Sequence, residues 1–218
     1  MNGYITVQEA ALKWGISPRQ VQILCKSNRI DGATRMSVFG SFRKTQKSLQ
    51  TIKGRQRTAM TNLTELQNLV DRFHANIDFY KDARNAYNEH SCRIEYIDPL
   101  LKLLGWDVAN EKGLAPQYRE VIAENYSTRT DRPDYTITLR GVPKFFVEAK
   151  KPAVDITRVA APAIQTRKYG WNAKHRLAVL TNFEYLAIYD TCHIAHEDDG
   201  CAVARYRLYH YTEYVEKS

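Results

Sequence analysis

The sequence predicts a small helical module at the N-terminus, followed by a larger domain of the α/β or α+β class, in which helices flank a mixed β-sheet. Two short helical patterns joined by a glycine turn lie within residues 4–32, and the excess of basic over acidic residues is confined to residues 1–60. After residue 61, helical patterns are followed by short strand patterns, another helix and further strands. The 218-residue length suits two such domains, and 44% hydrophobic residues suffices for their cores.

The N-terminal module has the pattern of a helix-turn-helix. Apolar residues of the first helix recur at helical spacing, at Val7, Ala10, Ala11 and Trp14. Gly15 ends that helix, and Ser17 followed by Pro18 suits the N-cap and first turn of a second helix. The second helix has an apolar face at Val21, Leu24 and Cys25. Two short helices joined by a glycine-containing turn are typical of this motif.

Polar residues on the outer face of the second helix are suited to DNA, since such side chains contact phosphates and base edges. The predicted DNA-binding residues are Arg19, Gln20, Gln22, Lys26, Arg43 and Lys44. The pattern AAxxWGIS followed by RxVQxLC resembles small winged helix-turn-helix domains of the excisionase and MerR-like kind. The segment Ser37–Lys44 departs from them, because it lacks the Trp and Ile-Pro that usually close the wing. A helix-turn-helix used for protein contact is the alternative.

The charge of the chain is divided unevenly. Residues 1–60 hold 11 Lys/Arg and 2 Asp/Glu, whereas residues 61–218 hold 21 and 22. From Arg43 to Met60 there are six basic residues and no acid, which predicts an exposed basic linker over 43–60 between a domain at 1–42 and another at 61–218. A polyanion is the natural partner of such a surface. A solvated linker without a partner is the alternative.

Three helices and five strands are predicted in the second domain. An amphipathic helix begins near Thr61, and another spans about residues 86–104, with an apolar stripe at Ile94, Ile97, Leu101 and Leu104. Pro99 lies inside the second helix and predicts a kink or two pieces. A third helix is predicted over residues 158–173. The strand patterns cover residues 120–125, 135–140, 144–150, 177–181 and 185–189.

The predicted hairpin over residues 132–152 has charged residues at the ends of two apolar strands. Antiparallel pairing about Gly141 brings Asp134, at the start of the first strand, towards Glu148 and Lys150 at the end of the second. Alternation puts Glu148 and Lys150 on one face. Converging carboxylates repel unless a cation joins them, and hard oxygen ligands favour Mg²⁺. A lysine beside that ion orients or deprotonates a water, or neutralises charge developing on a phosphate.

This layout resembles that of the PD-(D/E)xK nucleases. Pro133 directly precedes the aspartate, and an apolar strand leads into Glu148. Glu95 lies on the preceding helix, where these enzymes place an extra acid of the metal site. Gln165 and Tyr169 share a helix face in QTRKY, which matches the Q-x-x-x-Y signature of one branch.

Five ordered sequence blocks extend the resemblance to the amino-terminal nuclease domain of Type IIG and Type I-like restriction enzymes. The blocks are RIEYIDPLLKLLGWDVANEKG, YREVIAE, RPDYTI, KFFVEAKKP and LTNFEYLAIYD. The resemblance implies a restriction-endonuclease-like fold and Mg²⁺-dependent hydrolysis of DNA phosphodiesters. It also implies metal binding by Asp134, Glu148 and Glu95, action of Lys150 on the water or phosphate, and a positioning or DNA-contacting role for Gln165.

The chain departs from that family in lacking the N-P-P-[YF] motif and Gly-rich cofactor loop of a methyltransferase. It is therefore either a fragment of a longer enzyme or a nuclease module joined to a helix-turn-helix. The expected partners are double-stranded DNA and a methyltransferase or specificity subunit or domain. Cutting both strands requires a homodimer or sequential nicking. The alternative function is a DNA-binding regulator, or a subunit-docking module, with an inactive nuclease fold.

Several other interpretations are open for individual residues. The three hairpin charges could be a solvated strand end, Glu95 an exposed helix acid, and Gln165 a surface residue. The loop Cys192–Cys201 holds two Cys and two His, but its spacing matches no common closed zinc site. The sequence shows no nucleophile elbow, signal peptide or apolar run long enough to span a membrane. Four scattered cysteines are typical of reduced thiols, so the expected location is the cytoplasm.

Overall fold

The computed structural model describes residues 4–26, 33–34, 41–43, 46–123 and 132–217. The chain divides into two compact units, Met1–Thr61 and Asn62–Ser218, and each has its own hydrophobic core. Within the described ranges, no helix is both long enough and apolar enough to cross a membrane.

The first unit contains two helices and a small sheet. Its elements are β1 (Tyr4–Thr6), α1 (Val7–Trp14), α2 (Pro18–Lys26), β2 (Ala33–Thr34) and β3 (Ser41–Arg43). The strands are antiparallel, in the order β1-β3-β2. The two helices share a core of Ala10, Ala11, Trp14 and Val21. They lie where the sequence predicts helices, and their use as a DNA-binding helix-turn-helix stays a prediction.

A reciprocal capping box starts α2. The Ser17 hydroxyl accepts the amide N–H of Gln20 at 3.2 Å, and the Ser17 amide donates to Gln20 Oε1 at 3.0 Å. The two side chains thereby satisfy amide groups that the first turn of a helix leaves unpaired. The Gln20 side chain, predicted to contact DNA, is therefore engaged in starting the helix.

The long helix α3 (Gln46–Lys81) begins well before the predicted start near Thr61. It contains most of the basic segment that the sequence predicts as a linker. Its core-facing residues are Leu66, Leu69, Val70, Phe73 and Tyr80. These residues recur every three or four positions, as expected for one face of a helix.

The helical segment before the sheet is interrupted, as Pro99 predicts. It consists of α4 (Glu89–Cys92), a π turn (Arg93–Ile97) and α5 (Asp98–Leu103). Pro99 has no amide hydrogen for the carbonyl of Glu95, and the Arg72 guanidinium donates to that oxygen instead. Two residues of the predicted apolar stripe are exposed. Ile94 is 54% exposed because the π turn shifts the helical phase, and Leu104, the C-cap where α5 ends, is 53% exposed.

Six strands form a mixed sheet in the second unit, which confirms the predicted α/β architecture of this domain. They are β4 (Val121–Ala123), β5 (Tyr135–Leu139), β6 (Val142–Ala149), β7 (Leu177–Thr181), β8 (Tyr185–Asp190) and β9 (Arg205–His210), in that order across the sheet. Of the strand pairs described, only β6 and β7 are parallel, and α6 (Ala160–Asn172) supplies the crossover that a parallel pair requires. Strand β9 at the sheet edge was not predicted, although Arg205–Leu208 alternates basic and apolar residues.

The sheet separates two apolar layers. On one face, the aromatic core around Phe73, Tyr96 and Phe183 packs against β5 and β6 and against the C-terminal helix α7 (Tyr214–Lys217). On the other face, Ile156 and residues of α6 pack against β7 and β8. Because side chains alternate along β6, the Val147 side chain enters the first layer and Glu148 lies on the opposite face.

Candidate active site

A two-residue turn fixes the register of the β5–β6 hairpin. Arg140 and Gly141 both have positive φ angles, 53° and 76°, which matches the twist of a tight hairpin. A Cβ atom on Gly141 would lie 2.5 Å from the carbonyl oxygen of Gln117, so the position also requires glycine for close approach. The resulting register pairs Tyr135 with Val147. Asp134 and Glu148, the neighbouring residues along each strand, are thereby brought together.

Asp134 lies at the entrance to β5 with both carboxylate oxygens engaged. Oδ2 accepts the amide N–H of Ala149 at 2.8 Å. Oδ1 accepts a hydrogen bond from Nη1 of Arg93 at 3.0 Å. The first contact joins the two strands of the hairpin, as the sequence predicts. The second reaches Asp134 from the π turn, and sequence reasoning missed it.

Glu148 and Lys150 form an ion pair at the end of β6. Lys150 Nζ lies 2.7 Å from Glu148 Oε1, and the Lys150 amide donates to the Thr181 carbonyl at 2.8 Å. Glu148 is 4% exposed, and no described residue donates a hydrogen bond to its buried Oε2 atom. Burial raises the pKa of Glu148 to about 7, with a further upward contribution from Asp134 that the lysine opposes. Burial disfavours the charged form of Lys150, but the surrounding carboxylates raise its pKa above the ordinary value.

The acid that approaches Lys150 from the preceding helix is Glu89, not Glu95. Glu89 Oε2 lies 3.4 Å from Lys150 Nζ, and burial raises the pKa of Glu89. The Glu95 carboxylate instead accepts a hydrogen bond from the Tyr87 hydroxyl at 3.3 Å, on the exposed side of the π turn. The i, i+4 spacing of Glu89 and Arg93 puts the two residues on one helix face, but only the fold shows that this face meets the hairpin.

Gln165 and Tyr169 lie on one face of α6, as their spacing predicts. Gln165 Nε2 donates to the Tyr169 hydroxyl at 2.8 Å. The helix itself packs on β6 and β7. Gln165 therefore contacts Tyr169, the other residue of the Q-x-x-x-Y signature. Its described contact is not with Asp134, Glu148 or Lys150.

The predicted DNA-binding residues belong to the first unit. Arg19 and Gln22 are exposed on α2, whereas Gln20 caps that helix. Lys26 and Arg43 end α2 and β3. Lys44 lies outside the described residues.

The hairpin carboxylates fit a hydrated divalent cation better than a metal enclosed by protein. Among the described residues, no group of three or more His, Cys, Asp or Glu is arranged to hold a metal. Mg²⁺ commonly keeps several waters and takes only one or two carboxylates. Asp134 and Glu148 could supply those carboxylates, and the unpartnered Glu148 Oε2 is an oxygen that a cation would satisfy.

The Cys192–Cys201 loop has a structural explanation that needs no zinc. Cys192 is exposed, whereas the Cys201 thiol donates to the carbonyl of Thr157 at 2.7 Å. Arg167, buried in α6, pairs with Asp199 of the loop at 2.5 Å. These contacts tie the loop to the α6 side of the sheet.

Comparisons with known proteins associate this region with restriction enzymes. Residues 119–193 match the family model of the Type I restriction enzyme R protein N terminus. The Type II restriction enzyme and methyltransferase RM.Eco57I of Escherichia coli is 44% identical over 163 residues, which is 72% of this chain. The chain spans only 16% of the length of that relative. No solved structure is significantly similar to the chain.

Proposed function

We propose that this chain is a Mg²⁺-dependent DNA endonuclease of a restriction–modification system, with Asp134, Glu148 and Lys150 as its catalytic residues. The observation that carries the proposal is the convergence of two carboxylates and a lysine where β5 and β6 meet, with Glu148 Oε2 buried and unpartnered. The similarity of residues 119–193 to a restriction-enzyme family supports it, because that segment contains all three residues.

The residues of the site have distinct roles in phosphodiester hydrolysis. Asp134 and Glu148 would hold Mg²⁺, which supplies charge stabilisation to the phosphate and activates water when bound. The water oxygen forms a bond to phosphorus and releases a proton to solvent, while the bond to the leaving sugar oxygen breaks and that oxygen takes up a proton from solvent. The raised pKa of Lys150 keeps its amine protonated at neutral pH, which favours electrostatic stabilisation of the phosphate over proton abstraction. Glu89 replaces Glu95 as the additional acid, and it orients Lys150.

Nicking of supercoiled plasmid DNA in the presence of Mg²⁺ tests the proposal. We expect Asp134→Ala and Lys150→Ala to lower the nicking rate by about two orders of magnitude or more, because each removes preorganised charge from the site. Lys102→Ala is the matched control, since Lys102 makes a 2.6 Å ion pair with Glu111 outside the site and is not part of the proposed machinery. Equal nicking by the wild type and the Asp134→Ala variant would show that the site is not responsible.

A second candidate function is the docking of a separate methyltransferase or specificity subunit. The relative whose name combines restriction enzyme and methyltransferase is much longer than this chain, which spans 16% of its length, and this favours the docking role. Co-purification of such a subunit with the chain tests it. A chain that cleaves DNA at its full rate without any partner would argue against this role as the main one.

The DNA-binding surface of the proposed enzyme is the first unit, through Arg19 and Gln22 of α2 and the basic residues 43–60. The charge of that segment and the exposure of both α2 residues support this assignment.

One active site per chain cuts one strand at a time. Double-strand cleavage then requires a homodimer or two sequential nicks, and sedimentation of the chain on DNA distinguishes them.

A further inference from the structure

Arg93 is nearly buried although its guanidinium carries a permanent charge. Its side chain is 10% exposed, and that of its ion-pair partner Asp134 is 15% exposed. Removing a charged group from water is unfavourable unless the surroundings supply matched acceptors. The contacts of Arg93 therefore indicate what its burial achieves.

Arg93 holds Asp134 at two points. Nη1 donates to Oδ1 of the carboxylate at 3.0 Å, and Nη2 donates to the main-chain carbonyl of the same residue at 3.4 Å. The other carboxylate oxygen accepts the Ala149 amide N–H at 2.8 Å. Rotation of the Asp134 side chain would break at least one of these hydrogen bonds, so Arg93 and Ala149 together fix its orientation.

Tyr135 in turn holds Arg93. Arg93 Nε donates to the Tyr135 hydroxyl at 3.1 Å, and the guanidinium carbon lies 4.5 Å from the centre of the ring. The Tyr135 hydroxyl donates to Asp98 Oδ1 at 2.6 Å, which anchors the chain of contacts in α5. The guanidinium is thus fixed by a stacked ring and a directed hydrogen bond before it reaches the aspartate.

We infer that Arg93 is a positioning residue that orients Asp134 for metal binding, and that Tyr135 holds Arg93 in place for this purpose. The inference rests on the proposed function, because metal binding by Asp134 is part of that proposal. A carboxylate oxygen has more than one lone pair, so Oδ1 can accept from Arg93 and still contact a cation. Lysine at position 93 would keep the charge but lose the planar fork that makes both contacts.

Calorimetric titration of the full chain with Mg²⁺, without DNA, tests the inference directly. We expect Arg93→Lys to weaken Mg²⁺ binding by about tenfold, as for other residues that orient a metal ligand. In an Asp134→Asn background, Arg93→Lys should cause no further loss, because Arg93 acts through that carboxylate. Unchanged affinity in Arg93→Lys, or additive losses in the double variant, would overturn the inference.

A pair of tyrosine variants keeps the test valid even where Arg93→Lys fails to fold. Tyr135→Phe removes only the hydroxyl that Arg93 contacts, and should weaken Mg²⁺ binding in the same direction by a smaller factor. Tyr80→Phe is the matched control, since the Tyr80 hydroxyl pairs with that of Tyr96 at 2.8 Å in the same core. Equal Mg²⁺ affinities of the two variants would contradict the role of Tyr135.

Plasmid nicking by the same proteins separates this inference from the proposed function. A wild-type chain that binds Mg²⁺ but does not nick DNA contradicts the proposed function, while the binding cycle still supports the role of Arg93. A wild-type chain that nicks DNA, with Arg93→Lys and Tyr135→Phe as active as Tyr80→Phe, contradicts the inference alone. Absence of Mg²⁺ binding by the wild type overturns both.

Discussion

The environment of Glu148 departs from that of an ordinary glutamate side chain. Its carboxylate is buried, it has one oxygen without a described partner, and it lies beside a second carboxylate. Lys150 compensates for this only in part, since the pKa of Glu148 is still raised to about 7. Such an arrangement destabilises the metal-free protein and favours binding of a cation, which is expected of a functional site rather than of a structural ion pair.

The raised pKa of Glu148 predicts a pH dependence of stability. The native state binds the proton more tightly than the unfolded chain, so the contribution of Glu148 is greatest below the ordinary pKa of 4.5 and is lost as the pH rises through about 7. The loss amounts to at most about 3 kcal/mol. Thermal melts of the metal-free chain between pH 4.5 and 8 should show a steeper decline in the wild type than in Glu148→Gln, which keeps only the smaller contribution of the buried Glu89.

The Glu111→Gln variant controls for other titrating groups, because Glu111 pairs with Lys102 on the surface. Its melting temperature should follow the wild-type pH profile. Added Mg²⁺ should stabilise the wild type more at pH 8 than at pH 5.5, since the cation competes with the proton for Glu148. A wild-type profile that matches that of Glu148→Gln would contradict the assignment.

The β5–β6 hairpin brings the site residues together through features that nearby residues in the sequence determine. Its turn, its strand alternation and its register all follow from residues within about twenty positions of one another. The pairing of Asp134 with Glu148 and Lys150 was therefore predictable. The structure adds a bulge between Ile137 and Thr138, opposite Pro143, which lacks an amide hydrogen for regular pairing.

Gly141→Ala tests the dependence of the hairpin on its turn. The substitution adds a Cβ at positive φ and within 2.5 Å of the Gln117 carbonyl oxygen, so we expect a loss of about 1–3 kcal/mol in unfolding free energy. For a domain of this size that lowers the melting temperature by about 2–10 °C. Gly200→Ala is the control, since an added Cβ there meets no atom within 4 Å. Equal melting temperatures for the two variants would refute the argument.

The helix that faces the hairpin has a geometry that sequence reasoning did not anticipate. Position in a motif predicts Glu95 as the additional acid, but the π turn puts it with Tyr87, and Glu89 faces Lys150. A regular helical period cannot anticipate a π turn, whose location depends on tertiary contacts such as the hydrogen bond from Arg72. Arg93 was missed for a different reason, because a polar residue in an apolar helix is ordinarily assigned to solvent.

At the scale of the whole molecule, the net basic charge and the candidate active site lie in different parts of the sequence. Residues 1–60 carry a net charge of +9 and residues 61–218 a net charge of −1, counting Lys, Arg, Asp and Glu. A sheet domain of this composition has little general attraction for a polyanion. Binding of DNA by the full chain should therefore depend mainly on the first sixty residues.

The salt dependence of DNA binding tests this division. We expect the double variant Arg55→Ser and Arg57→Ser to reduce the slope of log affinity against log salt by up to about 0.9 for each phosphate that it no longer neutralises. The double variant Lys112→Ser and Lys168→Ser removes the same charge from the second unit and should change the slope less. Fluorescence anisotropy with a duplex at several salt concentrations measures both. The reverse order of effects would place the DNA-binding surface in the second unit.

Local sequence patterns were sufficient to predict the two helices of the first unit, the strands β4–β8 and the crossover helix. They were also sufficient to predict that Asp134 approaches Glu148 and Lys150. Periodicity, turn chemistry and strand alternation act over a few residues, so they can be recognised without knowing the fold. The π turn, the contact of Glu89 with Lys150 and the ion pair of Arg93 with Asp134 required the folded chain. Each of these depends on how a helix packs against a sheet distant in sequence, and packing over such separations is not encoded in any single local pattern.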